Sequence, residues 1–426
     1  MRLTYLLLLS IFSVAAPATF AAQTYISADS ALDITSGEWI TDPVLIVENG
    51  VIVSMNGDIG NATSEDHIVE LQGMRLLPGL FDMHVHITSD PSLQGYNRLR
   101  PSELRSVLKG ASNARDMLLA GVTTIRNLGA GGHGDVALRD AIEDGDVIGP
   151  RIFAAGPSLG VTGGHCDNNL LPKRYEDTAA GVADGPWEVT RKVRENIKYG
   201  SDVIKFCATG GVMSKGTKVG VQQYTLEEMQ AIVTEAHRRG RTVAAHAHGT
   251  EGIKAAIEAG VDSVEHASFI DDEGIALAIK NGTYLSMDIY VTEYILGRGA
   301  KLGILEESLA KERTVGAQQR KNFQRAVAAG AKMVLGTDAG IFPHDESPKQ
   351  LSRMVQFGMT PLMAVQAATI NAADLLQQKE TLGSLTVGKS ADIIAVAGNP
   401  LDKIELLEDV KFVMKDGVIY KQKGND

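Results

Sequence analysis

Two histidines separated by one residue end an apolar run near the start of the chain, in LPGLFDMHVHI (residues 77–87). In a β-strand, side chains at i and i+2 point to the same side, so His84 and His86 would project together. Imidazole nitrogens are good ligands for zinc and similar divalent metals. The spacing therefore predicts part of a metal site at the end of a buried strand.

Residues of matching chemistry stand in or at the end of later apolar runs. They are Lys205 in VIKF, His246 in AAHAHG, His266 in VEHASF and Asp338 in LGTDAG. Each has an ordinary structural explanation when it is taken singly, such as a helix N-cap for Asp338. Their joint occurrence at successive strand ends instead favours one site of imidazole and carboxylate ligands for divalent metals.

Lys205 is the unusual member of this set. An ammonium group buried beside metal cations would be costly. The cost is removed if the amine has reacted with carbon dioxide, because the resulting carbamate is an anion whose two oxygens can bridge two metals. The chain is therefore expected to hold two divalent cations with Lys205 carboxylated. Zinc is the default for such ligands, with manganese and cobalt as alternatives.

The secondary-structure elements that must position these residues alternate regularly along the chain. Between residues 78 and 383, eight strand-like runs alternate with helix-like runs. Repeated β-α units favour a parallel sheet, and eight of them favour an α/β fold with a (β/α)8 TIM barrel, whose active sites lie at the C-terminal ends of the strands. A doubly wound open sheet is the alternative, but no glycine-rich nucleotide fingerprint follows the first strand. Gly240, Gly260 and Gly330 follow helical runs, where left-handed caps are expected.

The two ends of the chain differ from the middle. Residues 23–77 and 384–426 contain short strand-like runs separated by turns rich in Gly, Asn and Asp. Because chain termini often lie close together, these ends are predicted to form one composite β-sandwich domain. Residues 1–22 combine Arg2, a short apolar core and small residues, which predicts a signal peptide and a periplasmic or secreted mature protein. A buried first helix is the alternative.

Composition limits the partners and the redox chemistry. The formal charge of −11 argues against nucleic acid and anionic membranes. The N-terminal apolar run is too short for a comfortable membrane span. Cys166 and Cys207 show no C-x-x-C spacing, so they do not support a thiolate zinc site. Export would permit a disulfide between them, but two buried free thiols are slightly favoured.

These motifs, in this order, resemble the amidohydrolase superfamily over nearly the whole chain after the signal segment. The tail ATINAADLL followed by LGSLTVGKSADIIAV is similar as well. The details look closest to the branch of Xaa-Pro dipeptidases and imidazolonepropionases. That branch includes dipeptidases for C-terminal Pro, Arg or Lys, and ochratoxin-hydrolysing amidases. The segments AAGPSLGVTGGH and KFCATGGVMS carry this closer likeness.

The resemblance implies a metal-ligand role at every matching position. The implied groups are His84, His86 and Asp338 for the first metal, the carbamate of Lys205 as the bridge, and His246 and His266 for the second metal. Asp338 would also take a proton from the attacking water and pass it to the leaving nitrogen. The resemblance further implies a homo-oligomer.

Other polar residues near strand ends are candidates for substrate contacts. His248, two residues after His246, and His165 in GGHCD could donate a hydrogen bond to the developing oxyanion. A substrate carboxylate would need a cation or hydrogen-bond donors. Arg298, Tyr290 and Tyr294 are available near the seventh strand, but packing or surface roles are favoured for all three.

The expected activity is metal-dependent hydrolysis of an amide bond in a small peptide or N-acyl amino acid. The first expectation is a dipeptidase for Xaa-Pro, Xaa-Arg or Xaa-Lys. A cyclic amidase of the imidazolonepropionase type and an ochratoxin-type amidase are alternatives. A deaminase is disfavoured because Gly249 stands where its Glu is expected and because Lys205 is present. A non-catalytic scaffold is disfavoured because no ligand position is lost.

Overall fold

The computed structural model describes residues 22–422. The predicted signal peptide over 1–22 lies outside the described residues, apart from Ala22. The strands are β1 (Thr24–Leu32), β2 (Trp39–Thr41), β3 (Val44–Glu48), β4 (Val51–Ser54), β5 (His67–Pro78), β6 (Leu80–Val85), β7 (Val122–Asn127), β8 (Arg151–Ala154), β9 (Val203–Cys207), β10 (Thr242–Ala247), β11 (Ser263–His266), β12 (Tyr284–Ser286), β13 (Met333–Val334), β14 (Ile393–Ala397), β15 (Phe412–Lys415) and β16 (Val418–Gln422).

Each of the eight runs predicted as strands between residues 78 and 383 contains one of β6–β13, and helices separate them. The helices are α1 (Glu103–Leu119), α2 (Gly134–Glu143), α3 (Pro186–Lys198), α4 (Leu226–Arg238), α5 (Thr250–Ala259), α6 (Asp272–Asn281), α7 (Val291–Leu302), α8 (Glu306–Ala328), α9 (Lys349–Gln356), α10 (Pro361–Ala367) and α11 (Ile370–Leu375). No helix within residues 22–422 is both long and apolar enough to cross a membrane.

Strands from both ends of the chain pair in one mixed sheet. Its order is β16-β15-β14-β5-β1-β3-β4, and β2 pairs with β1. β5 is parallel to β1 and antiparallel to β14, so it joins the N-terminal strands to the C-terminal ones. The sheet packs around its own apolar core, which includes Ile26, Leu45, Ile52, Ile393 and Phe412.

The middle strands form two all-parallel sheets, one in the order β13-β12-β11-β10-β9 and the other in the order β6-β7-β8. Isolated parallel bridges join the two sheets at both edges, between Val85 and Ala339 and between Leu159 and Phe206. Every residue of β6, β7, β9 and β10 is buried, as expected for parallel strands covered by helices on their outer face. The chain therefore has a mixed α/β fold whose parallel strands end on a common side.

Helix ends follow the signals in the sequence. Gly240, Gly260 and Gly330 have φ angles of 66°, 95° and 77°, which confirms the predicted left-handed positions after α4, α5 and α8. At the other end of α4, Thr225 and Glu228 form a reciprocal capping box. These caps determine where the helices between the parallel strands begin and end.

Cys166 and Cys207 form a disulfide, so the preference for two free thiols was wrong. The sequence could not reveal the pairing because the two residues are 41 positions apart and meet only when the loop after β8 folds over the end of β9. Both cysteines line the main cavity of the protein. The bond therefore ties the loop that carries His165 to the strand that carries Lys205.

Candidate active site

All eight residues predicted to bind metal or take part in catalysis line one cavity of about 850 Å³. They are His84, His86, His165, Lys205, His246, His248, His266 and Asp338. The parallel strands bring them together because β6, β9, β10, β11 and the segment after β13 all end on this side of the molecule. The loops after β8 and β10 add His165 and His248.

His84, His86 and Asp338 form a compact group of possible ligands. The Nε2 atoms of His84 and His86 lie 3.7 and 3.3 Å from Oδ1 of Asp338. Zinc–ligand bonds of about 2.0–2.2 Å at tetrahedral angles place neighbouring ligand atoms about 3.3–3.6 Å apart. The three side chains are therefore close to the spacing that a small divalent cation requires.

His246, His248 and His266 form a second group, with one ligand atom of each residue within 4.8 Å of the others. Nε2 of His246 is buried and makes no hydrogen bond within the described residues. A buried polar atom without a partner is costly unless something else occupies it. This nitrogen is therefore suited to a cation held between the histidines.

The imidazole rings are held by the nitrogen that faces away from the cavity. In each of five rings Nδ1 has a close oxygen neighbour: Glu265 Oε2 at 3.2 Å for His84, Gly129 O at 3.4 Å for His86, Ser214 Oγ at 2.7 Å for His165, Ser268 Oγ at 2.8 Å for His248, and Asp288 Oδ1 at 2.9 Å for His266. Such contacts fix ring orientation and leave Nε2 for the site.

The backbone is strained at two of the proposed ligands. His266 and Asp338 have φ angles of 68° and 59°, and Ala267 has 46°. Residues other than glycine rarely adopt these values, and where they persist they often mark functional sites. At Asp338 the conformation is held by its amide, which donates to the carbonyl of His84 at 2.8 Å. The strain thus places the carboxylate directly against the first histidine pair.

Burial keeps four histidines of the cavity neutral. It lowers the pKa of His84 to about 3, with a further contribution from the charge of Lys205. Burial also lowers the pKa of His165 to about 3 and those of His246 and His248 well below the usual value. Neutral imidazole is the form that binds a cation. These four side chains therefore offer neutral nitrogen atoms at neutral pH. His266 differs, because burial lowers its pKa but the charge and hydrogen bond of Asp288 outweigh burial and raise it.

Asp338 keeps its charge in the same surroundings. Burial alone would raise its pKa, but the hydrogen bond with His86 and the electrostatic interaction with His266 help to hold it below its usual value. The carboxylate is thus ionised at neutral pH, as a ligand or general base must be.

Lys205 is buried in β9, with 3% of its surface exposed. Its Nζ forms no hydrogen bond or ion pair with any residue of 22–422. Burial lowers its pKa to about 8, although Glu265 and Asp338 act in the opposite direction. A buried amine without a partner is unusual, and the shift increases the neutral fraction that can react with an electrophile.

A buried ion pair beneath the site was not predicted from the sequence. Nη2 of Arg126 lies 2.7 Å from Oε1 of Glu265, whose other oxygen faces His84. Nε of Arg126 donates to the carbonyl of Met83 at 2.7 Å. Both charged residues are fully buried. Their charges in otherwise apolar strands were a signal, but only the fold reveals that residues 139 positions apart meet.

We expect Glu265→Gln to lower the free energy of unfolding by about 3–5 kcal/mol, because it leaves the buried guanidinium of Arg126 without its anion. Denaturation at neutral pH measures the loss. Burial opposes the shift, but Arg126 and His84 hold the pKa of Glu265 below its usual 4.5. This stabilisation is therefore present above pH 4.5 and is lost as the pH falls through the lower folded pKa. The difference in the free energy of unfolding between wild type and Glu265→Gln should therefore disappear at acidic pH.

The matched control is the double variant Arg126→Met, Glu265→Gln, which removes both charges. It should lose much less stability than Glu265→Gln alone, since no buried charge is left unpaired. Equal losses would show that packing rather than charge pairing explains the effect.

The residues considered for a substrate carboxylate near the seventh strand lie outside the cavity lining. The Arg298 side chain is 64% exposed and lies 3.7 Å from Glu346. Tyr290 and Tyr294 are buried and pack against Phe342. The structure thus agrees with the packing and surface roles that were favoured for these three.

Comparison with known proteins places this cavity in context. A family model described as the amidohydrolase family matches residues 75–420. Ochratoxinase from Aspergillus niger is 35% identical over 418 residues, covering 91% of this chain and 85% of the relative. Imidazolonepropionase from Fusobacterium nucleatum is 25% identical over 386 residues, covering 82% of this chain and 83% of the relative.

Solved structures of similar proteins match this fold over nearly the whole chain. A Xaa-Pro dipeptidase with methionine bound in its active site superposes with a TM-score of 0.88 and 36% identity, covering 94% of this chain and all of the other. The crystal structure of A. niger ochratoxinase superposes with a TM-score of 0.83 and 32% identity, covering 96% of this chain and 97% of the other.

Proposed function

Because the chain belongs to the amidohydrolase family, we propose that it is a binuclear metal hydrolase that cleaves an amide bond beside a free carboxylate. Its substrate would be a dipeptide, such as Xaa-Pro, Xaa-Arg or Xaa-Lys, or an N-acyl amino acid. The observation that carries the proposal is the one cavity that gathers six histidines, Asp338 and an unpartnered buried lysine. The likeness to a Xaa-Pro dipeptidase supports the choice of substrate class.

The donor set fits two cations. The ligands in this proposal are His84, His86 and Asp338 for one, His246 and His266 for the other, and carboxylated Lys205 between them. Two bound divalent ions, most simply zinc, would polarise the scissile carbonyl and make water acidic enough to supply a nucleophile at neutral pH. The chain's own contribution is to hold the reactants and move the proton.

Asp338 is the proposed proton carrier. Its ionised carboxylate accepts a proton from the attacking water, and the water oxygen forms the new bond to the amide carbon. The protonated carboxyl then gives the same proton to the leaving nitrogen as the carbon–nitrogen bond breaks, which releases an acid and an amine. Its low pKa keeps the base form ready in the resting enzyme.

His248 and His165 are the proposed donors to the oxyanion. Nδ1 of His248 lies 2.8 Å from the Ser268 hydroxyl, and Nδ1 of His165 lies 2.7 Å from that of Ser214. When the hydroxyl donates to Nδ1, the ring carries its proton on Nε2, which faces the cavity. A neutral imidazole can then donate a hydrogen bond to the carbonyl oxygen as its charge grows.

Several wider expectations belong to the same proposal. We infer that β6–β13 act as a (β/α)8 barrel over residues 78–383, which the isolated bridges at both sheet edges support. Residues 23–77 and 384–426 would form the composite β domain, and residues 1–22 the signal peptide of a periplasmic or secreted protein. A homo-oligomer is the expected assembly.

The first test is to measure metal content and activity together. The purified mature chain should contain about two divalent metals, and a library of dipeptides and N-acyl amino acids should yield free amino acid with a preference for certain C-terminal residues. One metal and no peptide cleavage would contradict the binuclear mechanism. Two metals without cleavage would retain the site and reject the substrate class.

An ochratoxin-type amidase is the second candidate, and the 35% identity to ochratoxinase favours it. Ochratoxin and an imidazolone ring substrate therefore belong in the same screen. Rapid cleavage of ochratoxin with slow cleavage of all dipeptides would favour this candidate over the dipeptidase. Ring opening alone would favour an imidazolonepropionase-like activity.

A further inference from the structure

Arg98 is a charged residue of the cavity that the proposed reaction does not use. It lies in a 3-10 helix, Gly95–Leu99, between β6 and α1, and it lines the same cavity as Lys205 and Asp338. Its guanidinium makes no hydrogen bond or ion pair with any residue of 22–422. An arginine keeps its charge under all conditions in proteins, so it needs an anionic partner or water.

The loop that carries Arg98 is fixed against the rest of the cavity wall. Gly95 has a φ of +57°, and a Cβ there would lie 2.3 Å from the carbonyl oxygen of Gly303 at the end of α7. Nε2 of Gln94 donates to the carbonyl of Ile341 at 3.3 Å. The Tyr96 hydroxyl accepts a hydrogen bond from Nζ of Lys215 at 2.9 Å. The 3-10 helix is thus held from two sides.

The surroundings of the guanidinium connect it to the reaction centre. The Arg98 side chain is solvent-exposed, yet the protein around its guanidinium lowers the pKa of Arg98 by desolvation, and the charge of Asp338 raises it. The positive group therefore feels the field of the proposed general base. Both residues line the same cavity, so a ligand bound by the guanidinium would share that cavity with Asp338.

Other cations near the cavity already have partners. Lys215 donates to Tyr96, and Lys311 donates to the carbonyl of Ser214 at 2.7 Å and lies 2.8 Å from Glu307. Lys205 belongs to the proposed metal bridge. Arg98 is thus the cation of this group that has neither a hydrogen bond nor an ion pair within residues 22–422, apart from the proposed bridge Lys205.

We propose that Arg98 binds the free α-carboxylate of the substrate and thereby restricts hydrolysis to the C-terminal amide bond of short substrates. The inference rests on the proposed amide hydrolase function and identifies how that function selects its substrates. A planar guanidinium can hold a carboxylate through two parallel hydrogen bonds, which fixes both the position and the orientation of the scissile bond.

The test compares matched substrates that differ only at the C-terminus, such as an N-acyl amino acid and its C-terminal amide. Wild type should favour the acid, and Arg98→Met should lower kcat/KM for the acid by about 30- to 100-fold, mainly through KM. The ratio of acid to amide rates should collapse in this variant. Arg98→Lys should restore part of the preference, because it retains the charge without the two-pronged geometry.

Arg100→Met is the matched control, because Arg100 follows the same 3-10 helix but does not line the cavity. It should keep the wild-type acid-to-amide ratio and metal content. If Arg98→Met slows the acid and the amide equally, or if wild type does not prefer the acid, the assignment of Arg98 is wrong while the hydrolase function stands.

A binding experiment separates the two proposals if wild type cleaves none of these substrates. Calorimetric titration of the metal-loaded protein with L-proline and with L-prolinamide measures recognition of the carboxylate without turnover. Wild type should bind the acid more tightly than the amide, and Arg98→Met should bind both alike. Absence of that difference in wild type, or its persistence in Arg98→Met, would overturn the inference.

Discussion

Asp338→Asn is expected to lower kcat by about 10³- to 10⁴-fold on the best dipeptide or N-acyl amino acid substrate. The amide keeps nearly the shape of the carboxylate and can still offer an oxygen to a cation, but it cannot accept the proton of the attacking water. Removing a general acid–base group acts on the chemical step, so KM should change much less than kcat. Steady-state kinetics together with elemental analysis measure both quantities.

Asp90→Asn is the matched control. Asp90 lines the same cavity, but its carboxylate accepts hydrogen bonds from the backbone amide and the hydroxyl of Ser92 within its own turn. That variant should stay within about threefold of wild type, as expected away from the reacting atoms. A fully active Asp338→Asn enzyme with normal metal content would rule out Asp338 as the proton carrier. If the metal is lost as well, Asp338 acts first as a ligand, and the loss of rate does not measure proton transfer.

The sequence predicted the parts of the site that depend on strand ends. His84 and His86 follow an i, i+2 pattern, and His246, His266 and Asp338 end or follow apolar runs, so their convergence follows from parallel strands that end on one side. The family was also identified correctly from these motifs. Strand periodicity is a local property, and for that reason it could be read without the fold.

Residues that act through distant partners could not be found in this way. Glu265 meets Arg126 and His84 only because β11, β7 and β6 assemble around one interior. Asp288 has no motif around it that indicates a role, and the fold places it 2.9 Å from Nδ1 of His266. Contacts of this kind, which orient the histidines from outside the cavity, depend on side-chain geometry across strands, and hydrophobic patterning does not encode that geometry.

Loop residues were missed for a related reason. Arg98 lies in a polar segment without periodicity, and its place in the cavity depends on the fit of Gly95 against Gly303. The disulfide between Cys166 and Cys207 likewise depends on how one long loop folds over β9. Loops of this kind determine specificity on a shared scaffold, so the substrate is harder to predict than the chemistry.

Lys205→Ala is expected to remove most of the bound metal and to lower kcat by at least about 10³-fold, because the proposed bridge between the cations is lost. Elemental analysis and steady-state kinetics measure both effects. The substitution also leaves a space beside the ligands in the size range of a short carboxylic acid. Formate or acetate should occupy it, supply two oxygens and restore part of both the metal content and the rate.

Lys205→Met is the control for this rescue, because its side chain fills the space and should exclude the added acid. A Lys205→Ala enzyme that keeps two metals and full activity would contradict the bridging role.

The same chemistry gives the wild type a pH dependence during metal loading. Carbamate formation needs the neutral amine, and burial brings the pKa of Lys205 down to about 8, so the neutral fraction rises as the pH increases towards and beyond that value. Apoprotein should therefore regain metal and activity faster at pH 8.5 than at pH 6.5, and bicarbonate should accelerate this recovery in wild type but not in Lys205→Ala. Loading that does not depend on bicarbonate would mean that Lys205 stays an amine and that the two cations, if both bind, are bridged by another group.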